Sequence, residues 1–227
     1  MQSGDLIIAV FEFVLLIFSL SVHECAHAWM ASRLGDQTAR EMGRVTLNPL
    51  AHIDPFGTLL VPAMIIIFRF IGLSFFGGFL IGWAKPTPVI TRNFQKIVRD
   101  DNLTTLAGPA SNLLIVFGAC AVLAVVILFQ GQLPQQGDVL TNVEALVILC
   151  RLAIKVNLVL FFFNLLPIPP LDGSRILRNL LPYTAVQTYD RVPMWASYLL
   201  MIFIGPVILR LFLTPSLALV YFALSHI

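Results

Sequence analysis

Ser21-Val22-His23-Glu24-Cys25-Ala26-His27-Ala28 follows the run Leu6–Leu20, which is apolar apart from Glu12 and Ser19. The octet contains H-E-x-x-H and lies in or just beyond a helix long enough to span a bilayer. At about 100° per residue, His23 and His27 sit about 40° apart on one helix face. Two imidazoles on that face can reach one metal ion. Glu24 lies on the flank, where it can touch a metal-activated water without being a ligand. Cys25 points about 200° away from both histidines and receives no role. In a soluble helix the pattern arises by chance and means little. Inside lipid each charged side chain costs about 2.5–3.5 kcal/mol. Capture of a metal offsets that cost, so a membrane setting favours use of these residues.

The setting is a membrane. Of 227 residues, 58% are apolar, and the mean hydropathy is +0.89. That excludes a water-soluble domain of this size. The formal net charge of +2 gives no reason to expect a nucleic-acid partner. The opening Met1-Gln2-Ser3-Gly4-Asp5 has no basic region, so no cleavable signal peptide is expected. Cys25, Cys120 and Cys150 are odd in number and lie in or beside apolar runs, which suits small packing residues better than disulfides.

The spacing predicts an all-α polytopic membrane protein with about five to six membrane segments. The first helix covers 5–32. Residues 33–56 are polar and irregular. Gly57–Leu73 reads as a helix with Pro62 in an early turn. The glycine-rich, aromatic stretch that follows, up to Lys85-Pro86-Thr87-Pro88, reads as a re-entrant or extended segment near 74–90. Leu103–Phe129, Leu146–Leu166 and Met194–Leu213 read as spans, and Thr214–Ile227 as a shallow or tilted end. The whole is expected to be one domain, 1–227, with a catalytic core at about 5–181 and C-terminal helices at about 193–227. Lysines and arginines fall in 85–101 and 167–193 but not in 130–143, which predicts the first two loops in the cytoplasm and the N-terminus outside. No sequence feature sets an oligomeric state.

A catalytic zinc site needs a third protein ligand and an open position for water. Asp36, Glu41, Asp100, Asp101, Asp138 and Asp190 fall in polar loops and read as solvated. Glu144 begins a helix on the outer face. Asp54 and Asp172 abut apolar segments among prolines. Asp172 is favoured, because Asn164-Leu165-Leu166-Pro167-Ile168-Pro169-Pro170-Leu171 must unwind before it, which lets its side chain be aimed inward. Its alternative is a plain N-cap for the next helix. Asn164 can bond a neighbouring helix or donate to an oxyanion. Asn112 can do the same, but reads better as packing. His52, near Asp54, reads as a loop histidine or as a group supporting the site.

HECAH in an apolar helix, Ala107-Gly108-Pro109-Ala110-Ser111-Asn112, and NLLPIPPLDG at 164–173 together resemble the site-2 protease family of intramembrane zinc metalloproteases. Residues 48–58 and 82–89 are similar to its compact subgroup, and no insert is long enough for a PDZ or CBS domain. The resemblance implies one zinc ion per chain on His23, His27 and Asp172, Glu24 as catalytic base, and Asn164 as the motif asparagine. It also implies a transmembrane protein or peptide as substrate, in a cell membrane. In that chemistry zinc brings the pKa of its water to about 7, and Glu24 passes the proton to the leaving amine. Residues 76–83 are the candidate edge for pairing with an unwound substrate. Rival readings are a metal or ion transporter, or a silent relative acting as a scaffold. A transporter is expected to show inverted repeats and dispersed polar sites, and the sequence has neither.

Overall fold

The computed structural model describes residues 3–73, 80–129 and 137–226. Among them the chain forms helices and no strand. Helix α1 (Ser3–Arg33) carries the histidine motif in its second half. A short α2 (Thr38–Glu41) follows, then α3 (Val61–Phe70), which extends a wider turn begun at Pro55. Next come α4 (Ile97–Phe129), α5 (Gly137–Asn164), α6 (Asp172–Leu180), α7 (Tyr183–Tyr189), α8 (Met194–Phe203) and α9 (Gly205–Leu224). Leu6–Arg33, Ile97–Phe129, Asn142–Asn164 and Gly205–Leu224 are long and apolar enough to cross a membrane, and two shorter apolar helices accompany them. The chain is thus an all-α, multi-pass membrane protein.

Two apolar clusters hold the bundle. One joins Leu16 and Leu20 of α1, Leu160 and Phe163 of α5, Leu80 and Ile81 of the extended segment, and Met201 of α8. Its Leu20, Phe163 and Met201 also line the cleft beside the histidine motif. The other joins α4, α5 and α9 through Val116, Ile154, Leu158, Leu209 and Leu213. Glu12 of α1, 2% exposed, meets the partly exposed Arg69 and Lys155 at 2.8 Å each. Two cations on one carboxylate answer the cost of Glu12 in an apolar helix.

The C-terminal half corrects two expectations. Met194–Leu213 is not one span; the helix stops at Ile204 and restarts at Gly205. Pro206 has no N–H and would clash with the carbonyl of Ile202 in a continuous helix, yet fits the first turn of a new one. The residues after Thr214 do not form a separate end segment, because α9 runs through Pro215 to Leu224 and is long and apolar enough to span. The short helix after the proline run starts at Asp172, and the Pro169–Pro170 bond is cis.

Residues 80–90 form an extended strap without regular structure. The part of the expected edge at 76–79 lies outside the described residues. The strap is pinned at Trp83, Lys85 and Ile90. Trp83 N donates to Gly57 O at 3.1 Å, Lys85 N to His52 O at 2.8 Å, and Ile90 N to Asp36 Oδ2 at 2.7 Å. Trp83 O accepts from Thr58 Oγ1 at 2.8 Å. In extended backbone, N–H and C=O of one residue point to one side and those of the next to the other. Residues 83 and 85 therefore face the protein, while Gly82 and Ala84 turn their backbone groups the other way.

Candidate metal centre

His23 and His27 are buried at 3% and 7% exposure, one turn apart on α1. Helix α4 passes close over them at Gly108. A Cβ there would stand 2.3 Å from His27 Nε2 and 2.7 Å from His23 Cε1, so only glycine leaves room for both rings. Asp172 opens α6, and Gly173 behind it packs onto the end of α5. A Cβ at Gly173 would meet Leu165 O at 2.1 Å. That contact brings the start of α6 under the histidines. His23 Nε2 and His27 Nε2 are 3.0 Å apart, and Asp172 Oδ2 is 3.1 Å and 3.3 Å from them. Four donors around zinc at about 2.0–2.1 Å lie about 3.3 Å from one another, so the spacing fits.

The protonation pattern fits as well. Asn157 Nδ2 lies 2.9 Å from Ala153 O, a carbonyl that can only accept. This turns Asn157 Oδ1 towards Asn112 Nδ2 at 3.0 Å. Asn112 Oδ1 then faces His23 Nδ1 at 2.7 Å, so Nδ1 donates and Nε2 keeps its lone pair. His27 Nδ1 donates to Thr104 O at 2.7 Å, with the same result at its Nε2. Asp172 Oδ2 is buried without a hydrogen-bond donor. Three lone pairs converge with no proton between them, an arrangement a cation resolves. His23, His27 and Asp172 form the metal-competent cluster found among the described residues.

The other candidates separate. Asp54 caps the turn at Pro55, with Oδ1 accepting from Phe56 N at 3.0 Å and Gly57 N at 2.7 Å. The cap role considered for Asp172 does not occur: Leu171 holds the N-cap position of α6 and no side chain bonds there. His52 is buried, with Nε2 2.9 Å from Thr46 O, and it supports the strap. Asn164 lines the cleft that holds the cluster, with Nδ2 donating to Leu160 O at 2.9 Å. Glu24, half-buried on the same cleft, accepts from Thr87 N and Thr87 Oγ1 at 2.8 Å each. Cys25 is a free, half-buried thiol.

Three acidic residues read as solvated are buried instead: Asp36, Asp100 and Asp101 at 0%, 3% and 5% exposure. Each has donors that replace water. Asp36 takes Thr38, Ile90 and Asn93; Asp100 takes Lys96 N at 2.9 Å; Asp101 takes Arg175 at 2.6 Å and Asn179 at 2.7 Å. Asp101 thereby docks α6, and with it Asp172, against α4. Asn112 is more than packing, since it touches a histidine of the cluster. Sequence reasoning gave no role to Asn157 and Thr87, and it did not foresee the contact of Asn112 with His23. The signal for the asparagines was their place in apolar helices, where an amide needs a partner.

The chain matches peptidase family M50 over residues 11–206. It is similar to "Putative zinc metalloprotease YwhC" of Bacillus subtilis (strain 168), 40% identical over 169 residues, covering 74% of this chain and 68% of the relative. It is also similar to "Putative zinc metalloprotease Rip2" of Mycolicibacterium smegmatis, 28% identical over 210 residues, covering 92% of this chain and 69% of the relative. Rip2 of Mycobacterium tuberculosis (strain H37Rv) is 30% identical over 191 residues, covering 84% and 65%. No solved structure matches the chain. The family match over most of the chain and the relatives' names show that the chain belongs to peptidase family M50, the site-2 type of membrane zinc metalloprotease.

Proposed function

We propose that this protein hydrolyses a peptide bond within or beside a transmembrane segment of a membrane-protein substrate. One zinc ion per chain is held by His23, His27 and Asp172, and Glu24 is the general base. The observation that carries this reading is the convergence of three proton-free lone pairs in a cleft that Glu24 also lines. His23 and His27 lie about 15 Å and about 9 Å of helix rise from the Arg33 end of α1, which puts them inside the bilayer on the basic side. That side is the cytoplasmic one, with 85–101 and 167–193, and the N-terminus lies outside.

Bound zinc supplies Lewis-acid activation of water and of the scissile carbonyl. Glu24 takes a proton from the attacking water as its oxygen bonds to the carbonyl carbon. The same carboxyl returns the proton to the amide nitrogen as the C–N bond breaks. Asn164 spends one amide hydrogen on Leu160 O and offers the other to the developing oxyanion. A helical substrate must unwind to expose a carbonyl, and the freed backbone needs partners. The outward edge of the strap offers them. Gly82, Ala84 and Pro86 line the cleft, and the N–H groups of Gly82 and Ala84 have no acceptor among the described residues. Strand pairing at 82–84 moves the candidate edge towards the C-terminal end of 76–83.

The test uses purified protein in liposomes with a panel of synthetic transmembrane peptides, reading new termini by mass spectrometry. Wild type is expected to cut at least one peptide inside its apolar segment. Glu24→Gln is expected to lose at least about 100-fold in rate while keeping its zinc. Equal cleavage by Glu24→Gln would overturn the mechanism.

A further inference from the structure

The strap does more than wall the cleft. In Pro86-Thr87-Pro88 two residues lack a backbone N–H, so Thr87 carries the one donor of the three. That donor is spent on Glu24, at 2.8 Å from Oε2. The Thr87 hydroxyl lies 2.8 Å from the same oxygen and 3.1 Å from the Glu24 carbonyl oxygen. Both strong contacts fall on one carboxylate oxygen and leave Oε1 without a protein donor among the described residues. The prolines hold Thr87 extended, since each fixes its own φ and Pro88 also restricts the residue before it. The strap is anchored on either side of Thr87, at Lys85 by His52 and at Ile90 by Asp36. A short, stiff and doubly anchored segment thus presents a backbone donor to the carboxylate beside the metal cluster.

We propose that Thr87 is the positioning residue for Glu24: its backbone N–H, seconded by its hydroxyl, fixes Oε2 so that Oε1 faces the attacking water. This rests on Glu24 being the general base. It makes the strap a coupling element, because the backbone that pairs with substrate on its outer edge aims the base with its inner edge. A loose glutamate on a helix has three rotatable bonds, and a misaimed base loses rate without losing substrate binding.

The experiment measures kcat, KM and zinc content with the transmembrane peptide that wild type cuts and Glu24→Gln spares. Thr87→Pro removes the N–H and keeps extended backbone. It is expected to lower kcat at least about 30-fold, with KM within about twofold and zinc retained. Thr87→Val keeps the N–H and loses the hydroxyl, and is expected to retain at least about a tenth of kcat; Thr87→Ser is expected within about twofold of wild type. Wild-type kcat in Thr87→Pro would overturn the proposal, as would a loss expressed in KM or in zinc. A valine variant as inactive as the proline one would overturn the role of the N–H. Should proline prevent folding, a backbone ester at position 87 removes the same N–H and is read by the same outcomes. If no peptide separates wild type from Glu24→Gln, it is the protease mechanism that fails, not the strap.

Discussion

His23 owes its chemistry to an amide two contacts away. Asn157, anchored on Ala153 O, orients Asn112, and Asn112 sets the tautomer of His23. Hydrogen-bonded partners of this kind orient ligands and raise their basicity. Asn157→Leu should therefore weaken zinc binding about 10–100-fold, measured by competition with a chromogenic chelator. Unchanged affinity would mean that the histidine holds its tautomer without the relay. The convergence of His23, His27 and Asp172 was legible in the sequence because it is foreshadowed by local spacing and by proline-broken helix. Asn112 and Asn157 were not, because their partners lie 89 and 45 residues away. Only the packing of α4 between α1 and α5 brings them together.

At the scale of elements, the strap depends on Asp36. Burial acts to raise the pKa of this carboxyl, but bonds from Thr38, Ile90 and Asn93 to the charged form outweigh it and leave it below the usual range. The folded-state value is thus below the unfolded one, near about 3.9. The stabilisation is full above that unfolded value and is lost as pH falls towards the depressed folded one. Thermal unfolding in detergent should show wild type losing its advantage over Asp36→Asn below about pH 4. A constant difference across that range would remove Asp36 from the acid response. The sequence hid this role because an aspartate after a helix-ending glycine looks like any loop carboxylate. Its partners on and beside the strap, Ile90 and Asn93, are more than fifty residues distant. The restart at Gly205 was legible in principle from Gly205-Pro206, yet the unbroken apolarity around it masked the signal.

For the whole molecule, composition decided the class before any motif did, and four helices among the described residues, long and apolar enough to cross a membrane, agree with it. The basic loops predict which way they cross. In a cysteine-free background within intact cells, a membrane-impermeant thiol reagent should label Ser3→Cys and Gln135→Cys and spare Arg92→Cys. The opposite pattern would invert the topology and put the cleft near the outer surface. The bundle brings an α1 pair and an α6 aspartate, 145 residues beyond His27 in sequence, to within 3.3 Å. That convergence is the centre of the functional reading. The most direct measurement is zinc per chain by elemental analysis of purified wild type, Asp172→Ala and Asp54→Ala. A ligand triad of His23, His27 and Asp172 requires about one zinc in wild type, loss in Asp172→Ala and retention in Asp54→Ala, whose side chain caps a turn. Zinc retained without Asp172, or absent from wild type, would contradict it.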